Sequence, residues 1–425
     1  MSVVELSPDA LKSAVAELAG TGPTESRQLA LQQFLQRGFP TFHDEDWKYT
    51  DLTNVIDISE RWLAHAPDAA IEDVDETAIR EIQSSIDASW LVFSNGRLNQ
   101  DLSDAFGDDA IVVAPINDDD ELVVEDPLAD LSVALMLDGI SIRLDESKRV
   151  EKPIGLLFAD RATLAPQVSQ ARINIRLDAG SAARVIEYHA SSGDADHYSN
   201  VHIDVDIGDG ANLDYVRLQN RDRGHCQTQR LNVRLNEVSK IRHLGVDLGG
   251  ALARNDLKID IAGAGASAEF NGLYVGADKQ HIDNHTRVDH RIGPAKSTQE
   301  YRGIMSGRSR CVWNGKAIVH AGADGSDAEQ ANHNLLLSEH SEINAKPELE
   351  IYADEVKCCH GTTVGQLDEA ALFYLRTRGL DPRDAKRVLT RAFTTRVIEK
   401  SPIPELRELL SAQVEQRLSE IGSGD

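Results

Sequence analysis

The sequence predicts a mainly β protein, with a strand-rich core flanked by helical N- and C-terminal regions. From about residue 139 to 365, runs such as ARINIRLDAG and LKIDIAGAG alternate β-branched with polar residues, and Gly, Asn and Asp interrupt them. Apolar residues at helical spacing occur before and after this segment. A segment of this length requires many strands. A sandwich, a barrel and a solenoid of stacked strands all fit, since no strict repeat period can be read.

The start of the chain predicts two helices. Ser7 is a suitable N-cap, and Pro8 follows it at the first helical position. Thr24 then begins the run TESRQLALQQFLQRG, which ends at Gly38.

Residues 66–125 form an acidic, irregular segment with short apolar runs. Within it, SWLVFSNGRL places Asn95 and Gly96 between two extended stretches, which is typical of a β-hairpin. The run DPLADLSVALMLDG predicts one short helix at about 128–137. We therefore assign residues 1–138 to an N-terminal helical and mixed region, and residues 139–365 to the β core.

Helical patterning returns in the C-terminal region, residues 366–425. The run DEAALFYLRTRG ends at Gly379, and Asp381 with Pro382 begins a second helix, which ends in the Ser401–Pro404 segment. Apolar residues three or four apart line this helix and the final one: Ala385, Val388, Leu389, Ala392 and Val397, then Leu406, Leu410, Val414, Leu418 and Ile421. Such stripes indicate packing on the protein's own body, and a docking surface for a partner is the alternative.

The composition limits the function classes. The formal net charge is -26, and nucleic acid is not expected as a partner, because phosphate contacts require clustered Lys and Arg. No apolar window is long enough to span a membrane, and Glu5 and Asp9 lie where a signal peptide requires basic and apolar residues. We therefore expect a cytoplasmic protein without membrane association. Four cysteines do not make a disulfide framework in a chain of this length, so reduced thiols are expected.

Enzyme signatures are largely missing from the sequence. There is no GxxxxGK[ST], which indicates that the chain does not itself hydrolyse ATP, and no GxSxG, HExxH or CxxC. A non-enzymatic scaffold is one function class. The alternative is a β-helix or sandwich enzyme of the secreted, carbohydrate-active type. Such clefts use paired carboxylates and exposed aromatic residues, and only 5% of the residues here are aromatic.

The stretch EVKCCHGTTVGQ, residues 355–366, is the first candidate site. If it forms a strand, Cys358 and His360 share one face, and Cys359 points to the other. A thiolate beside an imidazole suits iron, zinc or copper, but a stable site needs three or four ligands. Any metal would be completed by another chain, by inorganic sulfide or by distant residues. A packed or incidental cluster and a catalytic thiol are the alternatives.

The stretch HIDNHTRVDH, residues 281–290, is the second candidate. On a strand it would place His281, Asp283 and His285 on one face, where they could chelate a divalent ion. The alternative is ordinary turn-rich β structure, in which such side chains bond the backbone.

Three longer stretches carry a family resemblance. They are FPTFHDEDWKYTDL (residues 39–52), DNHTRVDHRIGPAKSTQEYRGIM, and NHNLLLSEHSEINAKPELEIYADEVKCCHGTTVGQLDEAALFYLRTRGL. Together they resemble the SufB/SufD family of iron-sulfur cluster assembly proteins, and within it the SufD branch. The match is dense from about 283 to 395, whereas residues 53–280 add only a residue pattern that is compatible with β-strands.

The resemblance implies a right-handed parallel β-helix core between helical ends. It also implies a non-catalytic scaffold subunit of a SufBCD complex, paired with a SufB-like subunit and docking a SufC-like ATPase of the ABC type. Sulfur would come indirectly from a cysteine desulfurase and its SufE or SufU transfer partner. Whether the chain forms a homodimer when it is alone is a question that the sequence leaves open.

The same resemblance implies a transient iron-sulfur cluster at the interface with SufB, with no permanently bound cofactor. His360 and Cys358 would be this chain's contribution, and Cys359, where the family usually has a small polar residue, is a candidate additional ligand. A flavin in the complex is left open as an alternative, which the sequence itself does not indicate. Arg302 stands where the family commonly has lysine. The helices at roughly 367–400 would dock the ATPase, through Leu372, Phe373, Leu389 and Phe393.

Overall fold

The computed structural model describes residues 6–18, 23–65, 72–106, 110–118 and 126–421. The helices are α1 (Pro8–Glu17), α2 (Thr24–Arg37), α3 (Thr53–His65), α4 (Glu76–Ser85), α5 (Pro127–Leu135), α6 (Glu369–Thr377), α7 (Pro382–Ile398) and α8 (Arg407–Ile421), with short 3-10 turns at Glu45–Trp47 and Pro404–Leu406. The strands are β1 (Ser89–Ser94), β2 (Arg97–Leu98), β3 (Ile111–Pro115), β4 (Gly139–Leu144), β5 (Ile154–Arg161), β6 (Gln167–Leu177), β7 (Ala182–Ser192), β8 (His197–Ile207), β9 (Asn212–Asn220), β10 (Cys226–Leu235), β11 (Lys240–Asp247), β12 (Leu252–Ile261), β13 (Ser267–Gly276), β14 (His281–His290), β15 (Lys296–Met305), β16 (Arg310–Val319), β17 (Asp327–Leu336), β18 (Glu342–Ile351) and β19 (Lys357–Gly365).

The strands form two sheets. Sheet A has the order β19-β17-β15-β13-β11-β9-β7-β5-β1-β2, and sheet B has the order β18-β16-β14-β12-β10-β8-β6-β4-β3. From β4 onward the chain alternates between the sheets, so each coil contributes one strand to each. Neighbouring strands are parallel except for the antiparallel pairs β1–β2 and β3–β4. The fold is a parallel β-solenoid with helices at both ends, which confirms the predicted fold class.

The coils differ in length, which explains why no fixed period is visible in the sequence. Tyr215 pairs with His243, 28 residues later, whereas Gln299 pairs with Gln330, 31 residues later. The added residues lie in turns such as 320–326, so the strands stay in register.

Aliphatic side chains stack inside the solenoid. Branched side chains suit a pleated strand, and burying one contributes roughly 1.5–3 kcal/mol. One row crosses sheet B, each member pairing in register with the next and almost fully buried: Ile142, Ile175, Val205, Val233, Ile259 and Val288.

Helices cover part of the outer face of each sheet. Trp47 and α3 pack on sheet B around Tyr198, and α7 with α8 packs on sheet A around Leu273. The stripe predicted for the last helix is buried at Leu406, Leu410, Val414 and Leu418, which confirms that it packs on the protein's own body.

Among the helices of the described ranges, none is long and apolar enough to cross a membrane.

Several local predictions are confirmed. The side chain of Ser7 accepts a hydrogen bond from the Ala10 amide at the start of α1, and Asn95 and Gly96, both with positive φ, join β1 to β2.

The expectation of irregular structure after α3 is wrong for α4, where the Asp75 side chain caps a helix that follows it directly. Strands β1 to β3 join the two sheets ahead of Gly139.

Gly303 provides a test of how tightly the coils interlock. A Cβ at this position would lie 2.1 Å from the Tyr274 ring, which packs across the glycine. The Tyr274 hydroxyl donates a 2.5 Å hydrogen bond to Asn334 Oδ1, which holds the ring in place. We expect Gly303→Ala to lower the free energy of unfolding by about 2 kcal/mol, because the ring has to move within a packed core. Urea denaturation measures this change. Gly365→Ala, at a position with open space around it, is the control, and an equal loss in both variants would contradict the interpretation.

Candidate functional site

The C-terminal end of the solenoid is open at both sheets. Strands β18 and β19 are the last in sheets B and A, and each pairs on one side only, with β16 and β17. Their other edges have no strand partner within the described residues, so backbone N–H and C=O groups are available there. The side chains of β19 are exposed or half-buried along its whole length. We call these two adjacent strand edges the end face.

Cys358 and His360 lie on the inward face of β19. Cys358 pairs in register with Ala328 and packs against the interior cluster to which Ala328 belongs. His360 pairs with Gln330, two residues further along. Because side chains alternate along a strand, His360 shares the face of Cys358, and Cys359 points outward. The structure thus shows the alternation on which the candidate site depends.

This pair supplies two donors. Cys358 is half-buried, and burial raises the pKa of its thiol, while Cys359 and His360 are exposed. In the part of the chain that the structure describes, no group of three or more His, Cys, Asp or Glu side chains is placed to hold a metal ion. A thiolate and an imidazole match iron-sulfur or zinc chemistry, but they leave coordination positions open.

The other two cysteines are enclosed in the fold. Cys226 packs under the N-terminal helices, where burial raises the pKa of its thiol to about 12. Cys311 points into the solenoid, and burial raises its pKa as well. Thiolate is the form that binds metal or reacts, so these two residues have the character of structural cysteines.

The second candidate group is engaged in a structural network. His281, Asp283 and His285 share the outer face of β14 as expected, but Asp283 is fully buried and accepts a 2.5 Å hydrogen bond from Arg254. Its carboxylate also accepts a hydrogen bond from Thr50.

Arg254 joins that network to the N-terminal region. Its guanidinium lies 4.3 Å from the ring centroid of Trp47, and it donates to the Asp46 carbonyl at 2.9 Å. Although burial opposes ionisation, the charge of Arg254 holds the pKa of Asp283 well below its ordinary value. The motif at residues 39–52 is thereby anchored to sheet B, and Asp283 is already neutralised without a metal ion.

The predicted docking residues differ in accessibility. Helix α6 contains no buried residue, and Phe373 is 68% exposed, while Leu372 and Leu389 are half-buried. Phe393 is half-buried beneath the guanidinium of Arg302, 4.7 Å from its ring centroid. Phe373 is therefore available to a partner, whereas Phe393 helps to attach α7 to sheet A.

Sequence reasoning did not find the open strand edges. An edge strand has the same residue pattern as its neighbours, and its status depends on which coil is the last. The one local signal is Pro347 in β18, since proline inside sheets is confined to edges and bulges.

Comparisons with known proteins agree with this architecture. Residues 159–393 match the family described as SUF system FeS cluster assembly, SufBD core domain. The chain is 30% identical over 408 residues to the iron-sulfur cluster assembly protein SufD of Escherichia coli, with 95% of each chain covered. It is 27% identical over 395 residues to the SufBD family protein slr0076 of Synechocystis, covering 87% of this chain and 85% of that protein. It is also 26% identical over 302 residues to SufD of Bacillus subtilis, covering 70% and 68%.

Alkylation of the intact chain should distinguish its four thiols. We expect iodoacetamide at neutral pH to modify Cys359 first and Cys358 more slowly, because Cys358 is half-buried and its pKa is raised. Raising the pH should accelerate modification of Cys358, since thiolate is the reactive form. Cys226 and Cys311 should react only on unfolding. Peptide mass spectrometry gives the four rates, with Cys359→Ser as the control, and faster modification of Cys226 than of Cys358 would contradict the geometry.

Proposed function

Because this chain belongs to the SufBD family of iron-sulfur cluster assembly proteins, we propose that it is a non-catalytic scaffold subunit that pairs with a SufB-like chain. The nascent cluster is its cargo, held between the two chains. Cys358 and His360 are this chain's ligands. A SufC-like ATPase docks on the C-terminal helices, and a cysteine desulfurase with its transfer partner supplies the sulfur.

One observation carries this proposal: the two soft donors lie on the last, half-paired strand of the solenoid. Two ligands are too few for a permanent metal site. A second chain at the end face would bring the remaining ligands next to Cys358 and His360. The cluster would then be bound when the chains are together, and accessible when they separate.

The open edges support the pairing itself. Strands β18 and β19 each present one row of backbone donors and acceptors, at adjacent edges of the two sheets. A partner with similar terminal strands could continue both sheets by β-strand addition. The same arrangement would permit a homodimer when the SufB-like chain is missing.

The α6 helix supports docking of a second partner. Phe373 is 68% exposed and Tyr374 62% exposed on a helix without a buried residue. Adjacent large apolar side chains on a protein of net charge -26 favour a partner interface over a purely solvated surface. The sequence contains no phosphate-binding GxxxxGK[ST] loop, so nucleotide hydrolysis is assigned to the docked subunit. We propose one such ATPase subunit on each of the two paired chains, and nucleotide-driven association of these two subunits would shift the C-terminal helices and open the end face.

Loss of His360 should impair cluster assembly by the intact complex. We expect His360→Ala, co-expressed with the SufB-like and SufC-like chains, to assemble at least about ten-fold less cluster. Mutating even a hydrogen-bond partner of a metal ligand typically lowers metal affinity or activity by about ten-fold or more, and His360 is a proposed ligand itself. Cys358→Ala should cause a loss in the same direction. Anaerobic reconstitution followed by visible absorption measures the cluster. The matched control is the exposed His43→Ala, and Cys359→Ala tests whether this thiol is an additional ligand. Unchanged assembly in His360→Ala would refute the assignment of this residue.

Phe373 should contribute to binding of the ATPase subunit. We expect Phe373→Asp to weaken that affinity by about 30-fold, the effect of losing a central aromatic contact of about 2 kcal/mol. Pairing with the SufB-like chain should be unaffected. Calorimetric titration of the ATPase subunit measures the affinity. Leu164→Asp replaces an apolar residue that is 90% exposed outside the C-terminal helices, and an equal loss in this control would contradict a specific role for α6.

A further inference from the structure

Arg302, the arginine of the YRG stretch, connects sheet A to α7. Its side chain is 7% exposed and makes three interactions at once. Nε donates to Glu300 at 2.8 Å, Nη1 donates to the backbone carbonyl of Phe393 at 3.3 Å, and the guanidinium covers the Phe393 ring. One side chain thus contacts both the backbone and the ring of a residue in α7.

A second ion pair reinforces this connection. The Glu300 carboxylate that accepts from Arg302 also pairs with Lys400, with 2.6 Å between Nζ and Oε2. Lys400 lies two residues beyond the end of α7. Although burial opposes ionisation of Glu300, its hydrogen bonds with Lys400 and Arg302 lower the pKa of its carboxyl group. Glu300 is therefore charged at neutral pH, and it holds Arg302 and the end of α7 in place.

The same register row continues to the last strand of the sheet. Arg302 on β15 pairs in register with His333 on β17, and His333 pairs with Thr363 on β19. A hydrogen bond of 2.9 Å joins His333 Nδ1 to the Thr363 hydroxyl. The row therefore leads from α7 across two strands to the strand that carries Cys358 and His360. We call Arg302, His333 and Thr363 the cross-strand row.

Few other contacts fix the position of β19. Within the described ranges, the strand has one neighbour in the sheet, and none of its side chains is buried. On the inward face, the Asn334 amide donates to the Thr363 carbonyl at 3.3 Å, the Thr362 hydroxyl donates to Asn332 Oδ1 at 3.4 Å, and Cys358 packs against the interior cluster. Its position relative to α7 therefore depends on β17 and on the cross-strand row.

We propose that the cross-strand row positions β19, so that a displacement of α7 is transmitted to Cys358 and His360. These three residues are positioning residues, since none of them is assigned as a ligand. The inference rests on the proposed function only in giving the cluster ligands a role. The physical connection between α7 and β19 can be tested in the isolated chain.

The identity of Arg302 is central to this connection. Lysine keeps the positive charge, but its single ammonium group lacks the planar fork that stacks on Phe393 while donating to two acceptors. Arg302→Lys should therefore loosen the row while leaving the Glu300 charge compensated. Thr363→Val removes the hydroxyl at the other end of the row and keeps the shape and the strand propensity of the residue.

Hydrogen exchange in the isolated full-length chain tests the positioning. We expect β19 amides to exchange roughly 2- to 10-fold faster in Arg302→Lys and in Thr363→Val, the effect of losing about one hydrogen bond. Arg242→Lys is the matched control, since Arg242 lies on the same outer face of sheet A and pairs with Asp214 through two hydrogen bonds. Unfolding transitions verify that each variant is folded. Exchange at wild-type rates in both row variants would overturn the proposal.

Thiol labelling in the complex tests transmission. In a Cys359→Ser background with the SufB-like and SufC-like chains bound, the readout is the ratio of Cys358 labelling rates with and without a non-hydrolysable ATP analogue. We expect Arg302→Lys to reduce this ratio by about 2-fold or more, as for residues that couple two sites, and Arg242→Lys to leave it unchanged. An equal ratio in wild type and Arg302→Lys, or no nucleotide effect in wild type, would overturn transmission. The His360→Ala assembly experiment judges the proposed function separately.

Discussion

Hydrogen bonding between parallel strands in successive coils is the constraint on which the rest of this structure depends. An interior strand is paired on both sides, and its inward side chains rest on those of the coils before and after it. Among the residues that the structure describes, the final coil has one neighbour, so β18 and β19 carry unpaired edges and side chains that are less buried than their counterparts in earlier coils. Natural proteins often shorten or block such edges because they promote aggregation. Here the final strands keep ten and nine residues, and under the proposed function their free edges are reserved for a partner.

Two buried arginines attach the terminal regions to the solenoid in similar ways. Arg254 on sheet B pairs with Asp283 and covers Trp47, and Arg302 on sheet A pairs with Glu300 and covers Phe393. Buried ion pairs contribute little net stability, because desolvation offsets much of their attraction, but breaking one leaves an uncompensated charge. Such pairs therefore select one docking position for a helical region more than they strengthen it. The Arg254 network has this effect at the motif of residues 39–52, which residue spacing alone could not explain.

The fold and the site were predictable where local rules apply. The two-residue period of a strand places Cys358 and His360 on one face, and helix caps at Ser7 and Asp381 mark where α1 and α7 begin. The choice of a solenoid over a sandwich could not be made from the residues alone, because turns of unequal length obscure the repeat. The sequence also did not reveal that the Asp283 carboxylate is already paired with Arg254. The two residues are 29 apart in the chain, and only the strand register makes them neighbours. A coordination site inferred from residue spacing can therefore be assigned only when the contacts made by the neighbouring strand are known.

A site divided between two chains has a thermodynamic consequence under the proposed function. Linkage is reciprocal, so the factor by which a bound cluster strengthens the interface equals the factor by which an intact interface strengthens cluster binding. A closed four-ligand site within one chain would retain its cluster, because release would require unfolding of the site. With Cys358 and His360 on a half-paired strand, separation of the edges weakens cluster binding without disturbing the packed interior of the solenoid. An incomplete ligand set would therefore suit a scaffold that has to release what it assembles, and the proposed row from α7 to β19 would give a docked subunit a physical connection to that release.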